Sequence, residues 1–219
     1  MALFIDHAAR EQAVRAFGIP ACLHVPIAAT DEDAIRKYVG DVVQVLSTGT
    51  RNKALLVQVE NPPLIDKRYP IFDLEESSIL HAARQVWVHV AYSQYRQAYR
   101  RAFPGDDIEQ KILSHAMNRR MAAILGFLYV RITPTSRSAN SSSGFSEKWG
   151  VALYNKPAEL ASHRKRGLSV RYADLTCLML LLDMKLGGGI MDTVNEGQRL
   201  VRLDVSAERH ARAATYVAD

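Results

Sequence analysis

Cysteine is scarce in this chain, since its 219 residues include only Cys22 and Cys177. The sequence has neither a CxxC pair nor a cluster of cysteine with histidine, which argues against a disulfide framework and against a structural zinc site. Each cysteine stands among apolar residues (ACLHV and LTCLMLLL), so we expect two buried free thiols in a reducing compartment.

Long hydrophobic runs are also missing. The longest one near the C-terminus, LTCLMLLL at residues 175–182, is far shorter than the ~20 residues that a membrane-spanning helix needs. The first residues, MALFIDHAAREQ, have no basic stretch ahead of an apolar one, so they do not resemble a signal peptide. We therefore expect a protein that is not secreted, has no transmembrane segment and no membrane partner, and resides in the cytoplasm or in a virion.

Sequence motifs of catalysis and cofactor binding are absent as well. The Gly187–Gly189 run is not followed by GK[ST] and comes after a predicted helix, so it indicates a helix end rather than a phosphate loop. The histidines lack HExxH or other metal-ligand spacing, and Ser142 and Ser143 lack the GxSxG context of an acyl-transfer nucleophile. We expect no catalytic residue, no metal and no cofactor, and the sequence does not predict an enzyme.

The chain does have an excess of basic residues. It carries 28 Lys and Arg against 23 Asp and Glu, which gives a formal charge of +5 and a pI near 9.3. The acids concentrate at residues 31–33 and 73–76, whereas arginine-rich clusters follow one another between Arg96 and Arg171. This asymmetry favours a polyanionic partner.

The apolar pattern predicts a mainly helical fold. Helical spacing and capping residues indicate helices over residues 30–49, 73–103 and 106–132. Because only Pro104 and Gly105 separate the last two, we expect an antiparallel helix pair at residues 74–132 in the centre of the core. The expected fold class is all-α or predominantly α, a helical bundle around that pair.

Other segments complete this prediction. Minor β structure is expected near residues 149–154 and near residues 53–60, where the pattern suits a strand and a helix equally. Residues 133–148 are rich in Ser, Thr and Asn and predict a flexible loop. We expect a single helical domain over residues 1–219, and the alternative is two lobes, 1–132 and 149–219, joined by that loop. Further helices are predicted over residues 2–17, 173–186 and 206–217.

Arginines and tyrosines alternate in the stretch YSQYRQAYRR, from Tyr92 to Arg101. On a helix its three tyrosines would form one stripe, with arginines on a neighbouring stripe. Arginine binds phosphate in a bidentate manner, and aromatic rings stack on bases, so this pattern suits single-stranded nucleic acid. The predicted nucleic-acid-binding residues in this stretch and in the later basic clusters are Tyr92, Tyr95, Tyr99, Arg96, Arg100, Arg101, Arg119, Arg120, Arg131, Arg137, Arg164, Lys165, Arg166 and Arg171.

Two short fragments resemble segments of the coat proteins of rod-shaped helical plant viruses. GTRNKALLVQVEN, residues 49–61, is similar to a segment that those proteins use near their RNA, and NSSSGFSEKW, residues 140–149, is similar to their Ser-rich segment ahead of a tryptophan. The paired arginines Arg119 and Arg120 lie between the two fragments, as a paired basic motif does in that family. The resemblance implies a self-assembling nucleoprotein.

These patterns together lead to one functional expectation and one alternative. The expectation is a basic helical protein that binds single-stranded RNA, or another nucleic acid, without sequence specificity. It would act as a self-assembling nucleocapsid or coat-type subunit, so that its partners are RNA and further copies of itself. The alternative is a helical adaptor or scaffold whose arginines meet an acidic protein surface and which has no role in nucleic-acid binding.

Overall fold

A computed structural model describes residues 25–59, 83–141, 144, 151–152, 155–173, 177, 180–181 and 183. Within these residues, seven strands form one sheet, and short helices connect or cover them. The strands are β1 (Pro26–Ala29), β2 (Asp41–Thr48), β3 (Lys53–Gln58), β4 (Arg84–His89), β5 (Ile112–His115), β6 (Tyr129–Thr135) and β7 (Val170–Tyr172). The helices are α1 (Glu32–Tyr38), α2 (Tyr95–Ala102), α3 (Arg119–Leu125) and α4 (Pro157–Lys165), and residues 137–141 are also helical.

The sheet is antiparallel throughout and curls into a half-barrel. Its strand order is β2-β3-β4-β6-β1-β7, and β5 pairs with β6 in addition. Strand β6 is the branch point, because one of its edges carries β4 and the other carries first β1 and then β5. The register aligns Leu55 with Trp87 and Trp87 with Arg131, so these three side chains share one face of the sheet.

The predicted helical bundle is wrong, and β-branched residues explain the error. Residues 84–89 read RQVWVH, and residues 129–135 read YVRITPT. Valine, isoleucine, threonine and aromatic residues lose side-chain freedom in a helix but pack well on a pleated sheet. The apolar spacing in these segments matched a helical period, yet both segments form central strands whose residues are largely buried.

The expected antiparallel helix pair at residues 74–132 does not exist in the described part of this interval. Residues 84–89 form β4, and of the described residues 83–103 only 95–102 are helical. The second predicted helix contains β5, α3 and the start of β6. Gly126 ends α3 with a left-handed φ of 89°, a conformation that glycine adopts at little cost.

The predicted helix over residues 30–49 is correct only in its first half. Helix α1 begins after Asp31, whose side chain accepts a 2.7 Å hydrogen bond from the Ala34 N–H, so the cap is Asp31 rather than the expected Thr30. The second half is strand β2, which pairs with β3. Gly40 lies between α1 and β2, at a point where a Cβ atom would collide with the carbonyl oxygen of Gln58. The segment 53–60, whose sequence pattern suited a strand and a helix equally, contains strand β3.

The core lies against both faces of the sheet. Its fully buried side chains include Trp87 and Leu55 from the strands, Ile35 from α1, and Phe127 from the turn after α3. The indole N–H of Trp87 donates a 3.1 Å hydrogen bond to Gln85, so the largest core side chain has its polar atom satisfied.

The predicted flexible loop at residues 133–148 begins with regular structure. Residues 133–135 belong to β6 and residues 137–141 are helical. Strand β7 pairs with β1, so residues on both sides of that loop contribute to one sheet. The predicted helices at 2–17 and 206–217 and most of 173–186 lie outside the described residues. No helix in the described ranges combines the length and the apolar character needed to cross a membrane.

Candidate nucleic-acid interface

A cleft of about 680 Å³ opens beside β5. All four residues of β5, from Ile112 to His115, line one wall of it. The beginnings of two helices form the facing walls, since the lining includes Tyr95 and Arg96 from α2 and Arg119 and Arg120 from α3. The cleft therefore brings together two basic clusters that are more than twenty residues apart in the sequence.

Three exposed arginines dominate the electrostatics of the cleft. Arg96, Arg119 and Arg120 line it, and none of the described lining residues is an aspartate or glutamate. The guanidinium carbons of Arg96 and Arg119 each lie 6.0 Å from the ring centroid of Tyr95, so one aromatic ring holds two like charges near each other. Positive groups without a carboxylate beside them attract an anion from solution.

The capping of α3 orients its two arginines. The side-chain oxygen of Asn118 accepts hydrogen bonds from the backbone N–H groups of Arg120, at 2.9 Å, and Met121, at 3.2 Å. These bonds fix the first turn of the helix at the edge of the cleft. Because the side chain of Asn118 already accepts hydrogen bonds from these two N–H groups, they are not available to a ligand, and the guanidinium groups are the donors that remain at this end of the helix.

His115 is a neutral polar group in the wall of the cleft. Burial and, secondarily, the charge of Arg119 lower the pKa of His115 to about 3, so the imidazole is uncharged at neutral pH. Its ring lies 4.5 Å from that of Tyr95 in an edge-on arrangement. The Nε2 atom of His115 is buried and has no hydrogen-bond partner among the described residues.

A hydrogen-bonded pair of polar side chains connects β5 to the helical residues that follow β6. Ser114 donates a 2.7 Å hydrogen bond from its hydroxyl to the side-chain oxygen of Asn140, which stands in the helical residues 137–141. Both residues line the cleft. This bond ties the segment after β6 to the β5 wall and supplies uncharged hydrogen-bonding groups opposite the arginines.

Several of the predicted binding residues are instead part of the core. Tyr92 and Tyr99 are only 3% and 5% exposed, so the expected stripe of three stacking tyrosines is wrong and only Tyr95 reaches the cleft. The hydroxyl of Tyr99 donates a 3.0 Å hydrogen bond to Asp106. Arg131 is buried on β6, and burial lowers its pKa to about 10, while the neighbouring Tyr99 acts in the opposite direction.

The remaining predicted arginines lie elsewhere on the molecule. Arg100 and Arg101 are on α2 outside the cleft lining, and Arg101 donates a 2.9 Å hydrogen bond to the carbonyl oxygen of Leu46 on β2. Arg137 is exposed in the helical residues after β6. Four more residues lie in α4, at its C-terminal cap or in β7, and do not line the cleft. Arg164 and Lys165 of α4 are exposed, Arg166 at the cap is half-buried, and Arg171 of β7 is buried.

Sequence reasoning missed the polar side chains of β5 and its surroundings. His115 belongs to no metal-ligand pattern, and Ser114 and Asn140 belong to no motif. The available signal was the run SHAMNRR, residues 114–120, which places a histidine and a helix-capping asparagine directly ahead of two arginines.

Comparison with known proteins adds no assignment to this geometry. Neither a protein-family model, nor a curated protein, nor a solved structure matches the chain. The short resemblance to coat proteins therefore has no support from an overall match. Among the residues that the structure describes, no three His, Cys, Asp or Glu side chains are grouped so that they could hold a metal ion.

Proposed function

We propose that the cleft beside β5 binds single-stranded nucleic acid, with RNA as the expected ligand. The observation that carries this proposal is the group formed by Arg96, Arg119 and Arg120, three exposed arginines, two of them beside Tyr95, in a cleft whose described lining contains no acid. Phosphate groups supply the negative charge that such a group attracts, and a guanidinium can hold two phosphate oxygens at once.

Each wall of the cleft has a separate task in this mechanism. The arginines neutralise the phosphates of the strand and release the counterions condensed on it, so binding weakens as salt concentration rises. Tyr95 orients two of the guanidinium groups and offers an aromatic surface to a base. The Ser114–Asn140 pair offers polar groups without adding charge, and His115 stays uncharged in the wall of the cleft.

The test is the affinity for a fluorescent single-stranded RNA oligomer at several salt concentrations. The double variant Arg119→Gln/Arg120→Gln should bind much more weakly at low salt. The slope of log affinity against log salt should also become less steep by about 1.4, which is ~0.7 for each of two lost phosphate contacts on a single strand. The matched control is Arg164→Gln/Lys165→Gln, which removes the same charge from α4, outside the cleft.

Two other outcomes would redirect the proposal. If both double variants lose affinity equally, the net charge of the protein and not the cleft determines binding. If the wild-type chain does not bind RNA at low salt but captures an acidic protein segment, the adaptor alternative is favoured. Assembly into coat-type repeats remains a prediction, and light scattering before and after nuclease treatment would test it.

A further inference from the structure

The wall of the cleft formed by β5 is the open edge of a strand. On one side β5 pairs with β6, and no strand among the described residues pairs with its other side. All four of its residues nevertheless line the cleft, although their side chains alternate between the two faces of the sheet. The backbone of the strand edge, together with alternate side chains, therefore forms this wall.

The register of β5 identifies which backbone groups face the cleft. The Ala116 N–H donates a 2.9 Å hydrogen bond to the Arg131 carbonyl oxygen, so the backbone groups of Ala116 face β6 and not the cleft. Hydrogen-bonded positions alternate in an antiparallel ladder, so Ser114 opposite Thr133 also bonds to β6. Leu113 and His115 then direct their backbone N–H and C=O groups away from β6, towards the cleft.

Pro134 supports this assignment of the two edges. Leu113 lies opposite Pro134, which has no N–H to donate, so this pair suits the position at which no ladder hydrogen bonds are exchanged. The pairing of β4 with β6 likewise stops at Ile132 opposite Val86 and does not reach Pro134.

We infer that the backbone edge of β5 at Leu113 and His115 binds the hydrogen-bonding edges of unpaired bases, while the arginines of the cleft bind the phosphates of the same strand. This inference rests on the proposed function. An N–H beside a C=O matches any base edge on which a donor lies next to an acceptor, and all four bases have such an edge. The site would therefore require a base but discriminate weakly among bases.

An extended acidic peptide is the competing occupant, because peptides also add to open strand edges. The length of the edge favours a nucleic acid. Only Leu113 and His115 face outward along the four residues of β5, which suits two bases but is shorter than the ~5–6 residues of a typical strand. The three arginines without a carboxylate in the described lining also match a ligand that carries one charge per unit.

The test compares two oligomers of equal length and charge on the wild-type chain. One is oligouridine, and the other is the same oligomer with N3-methyluridine, in which the methyl group blocks the base donor but leaves the phosphates and the ring. We expect the methylated oligomer to bind about tenfold more weakly, equivalent to ~1.4 kcal/mol. Equal affinities would overturn the base-edge inference and leave the proposed function intact. Failure of both oligomers to bind at low salt would contradict the proposed function itself.

A backbone variant provides a second test. Leu113→Pro removes the N–H that faces the cleft and leaves the N–H groups bonded to β6 in place, and Leu113→Val serves as the control that keeps this N–H. In the variant, oligouridine should bind about fivefold more weakly than to the Leu113→Val control, because the O4 acceptor of one base loses its N–H donor. Equal affinities of oligouridine for folded Leu113→Pro and for Leu113→Val would overturn the inference. If this variant does not fold, the comparison on the wild-type chain decides. An acidic peptide that displaces oligouridine from wild type but not from folded Leu113→Pro would assign the edge to peptide.

Discussion

Two regions of this molecule are rich in basic residues, and they are built differently. The cleft has Arg96, Arg119 and Arg120, which come from two helices and converge beside an open strand edge. The segment 162–171 is denser in the sequence, with four Lys and Arg in ten residues, yet its side chains diverge between the exposed surface of α4 and the buried strand β7. The comparison shows that a candidate site is marked by basic side chains that converge in a cleft, and not by the number of basic residues in a stretch of sequence.

Each region also contains one neutral histidine, half-buried in the cleft and buried on α4. His115 stands in the wall of the cleft, whereas His163 on α4 packs 6.1 Å from the ring of Phe127. Burial is the main cause that lowers both pKa values, followed by nearby arginines. A histidine with a lowered pKa therefore occurs both in the wall of an open cleft and in the packed core.

The largest expected effect is the difference in unfolding free energy between an arginine variant in each of the two regions. Arg171→Ala should lower the free energy of unfolding by about 3 kcal/mol, because the arginine is 1% exposed and its removal leaves a cavity. Arg119→Ala, at an exposed position, should change it by less than about 0.5 kcal/mol. Urea unfolding of both variants checks this, and equal losses would remove the structural distinction between the regions.

The next effect concerns acid stability. An unfolded histidine titrates near pH 6.5, but folded His115 has a pKa of about 3, so the unfolded state binds more protons between these values. The stabilisation is present above about pH 6.5 and is lost as the pH falls towards 3. At pH 5 the loss due to His115 is about 2 kcal/mol, at ~1.4 kcal/mol per pH unit.

His115→Gln tests this contribution by itself. The variant should retain the acid sensitivity contributed by His163, whose pKa is lowered to about 4 and whose loss at pH 5 is of similar size. Unfolding free energies at pH 7 and pH 5 should therefore differ less in the variant than in wild type. An identical pH dependence in both proteins would mean that His115 is not buried as a neutral group.

A smaller effect is expected from helix capping. Asn118→Ala removes the side-chain acceptor for two N–H groups of α3 and should cost about 1 kcal/mol. The corresponding residue of α4, Lys156, has an extended backbone but makes no side-chain capping bond, so Lys156→Ser should stabilise the protein by about 0.5 kcal/mol. Thermal unfolding of the pair would detect opposite shifts, and shifts of the same sign would contradict the capping assignment.

The smallest effect tests Tyr95 in the cleft. Tyr95→Leu should weaken RNA binding about threefold, since each cation–π contact with Arg96 or Arg119 contributes roughly 0.5–1 kcal/mol at an exposed site. Tyr38→Leu is the control, because Lys37 lies 5.0 Å from that ring on α1 and neither residue lines the cleft. A threefold loss in both variants would point to a general change in the protein rather than to the cleft.

Part of the site could be predicted from the sequence, but most of the fold could not. The pattern YSQYRQAYRR does begin a helix, α2, and the pair Arg119–Arg120 does begin another, α3. Their proximity arises from the return of the chain through β5 and α3, and not from an antiparallel helix pair.

The fold was misjudged because apolar spacing alone does not separate a buried strand from a helix. Val86, Trp87 and Val88 are all fully buried, so β4 shows no alternation of polar and apolar residues. The prediction that three tyrosines form an exposed stripe was wrong for a related reason. Tyr92 and Tyr99 pack in the hydrophobic core, and helical spacing alone does not distinguish a buried tyrosine from an exposed one. Hydrogen bonding along a strand edge, such as that of β5, is a property of the backbone and leaves no pattern of side chains in the sequence.

The most direct test of the central claim is the location of RNA on the protein. Ultraviolet irradiation of the complex with a single-stranded oligouridine, followed by mass spectrometry of the cross-linked peptides, reports the contact residues. The account predicts cross-links in the segments 90–96 and 112–120, which contain most of the residues that line the cleft, and few in residues 162–166. Cross-links concentrated in residues 162–166, with none beside β5, would contradict it.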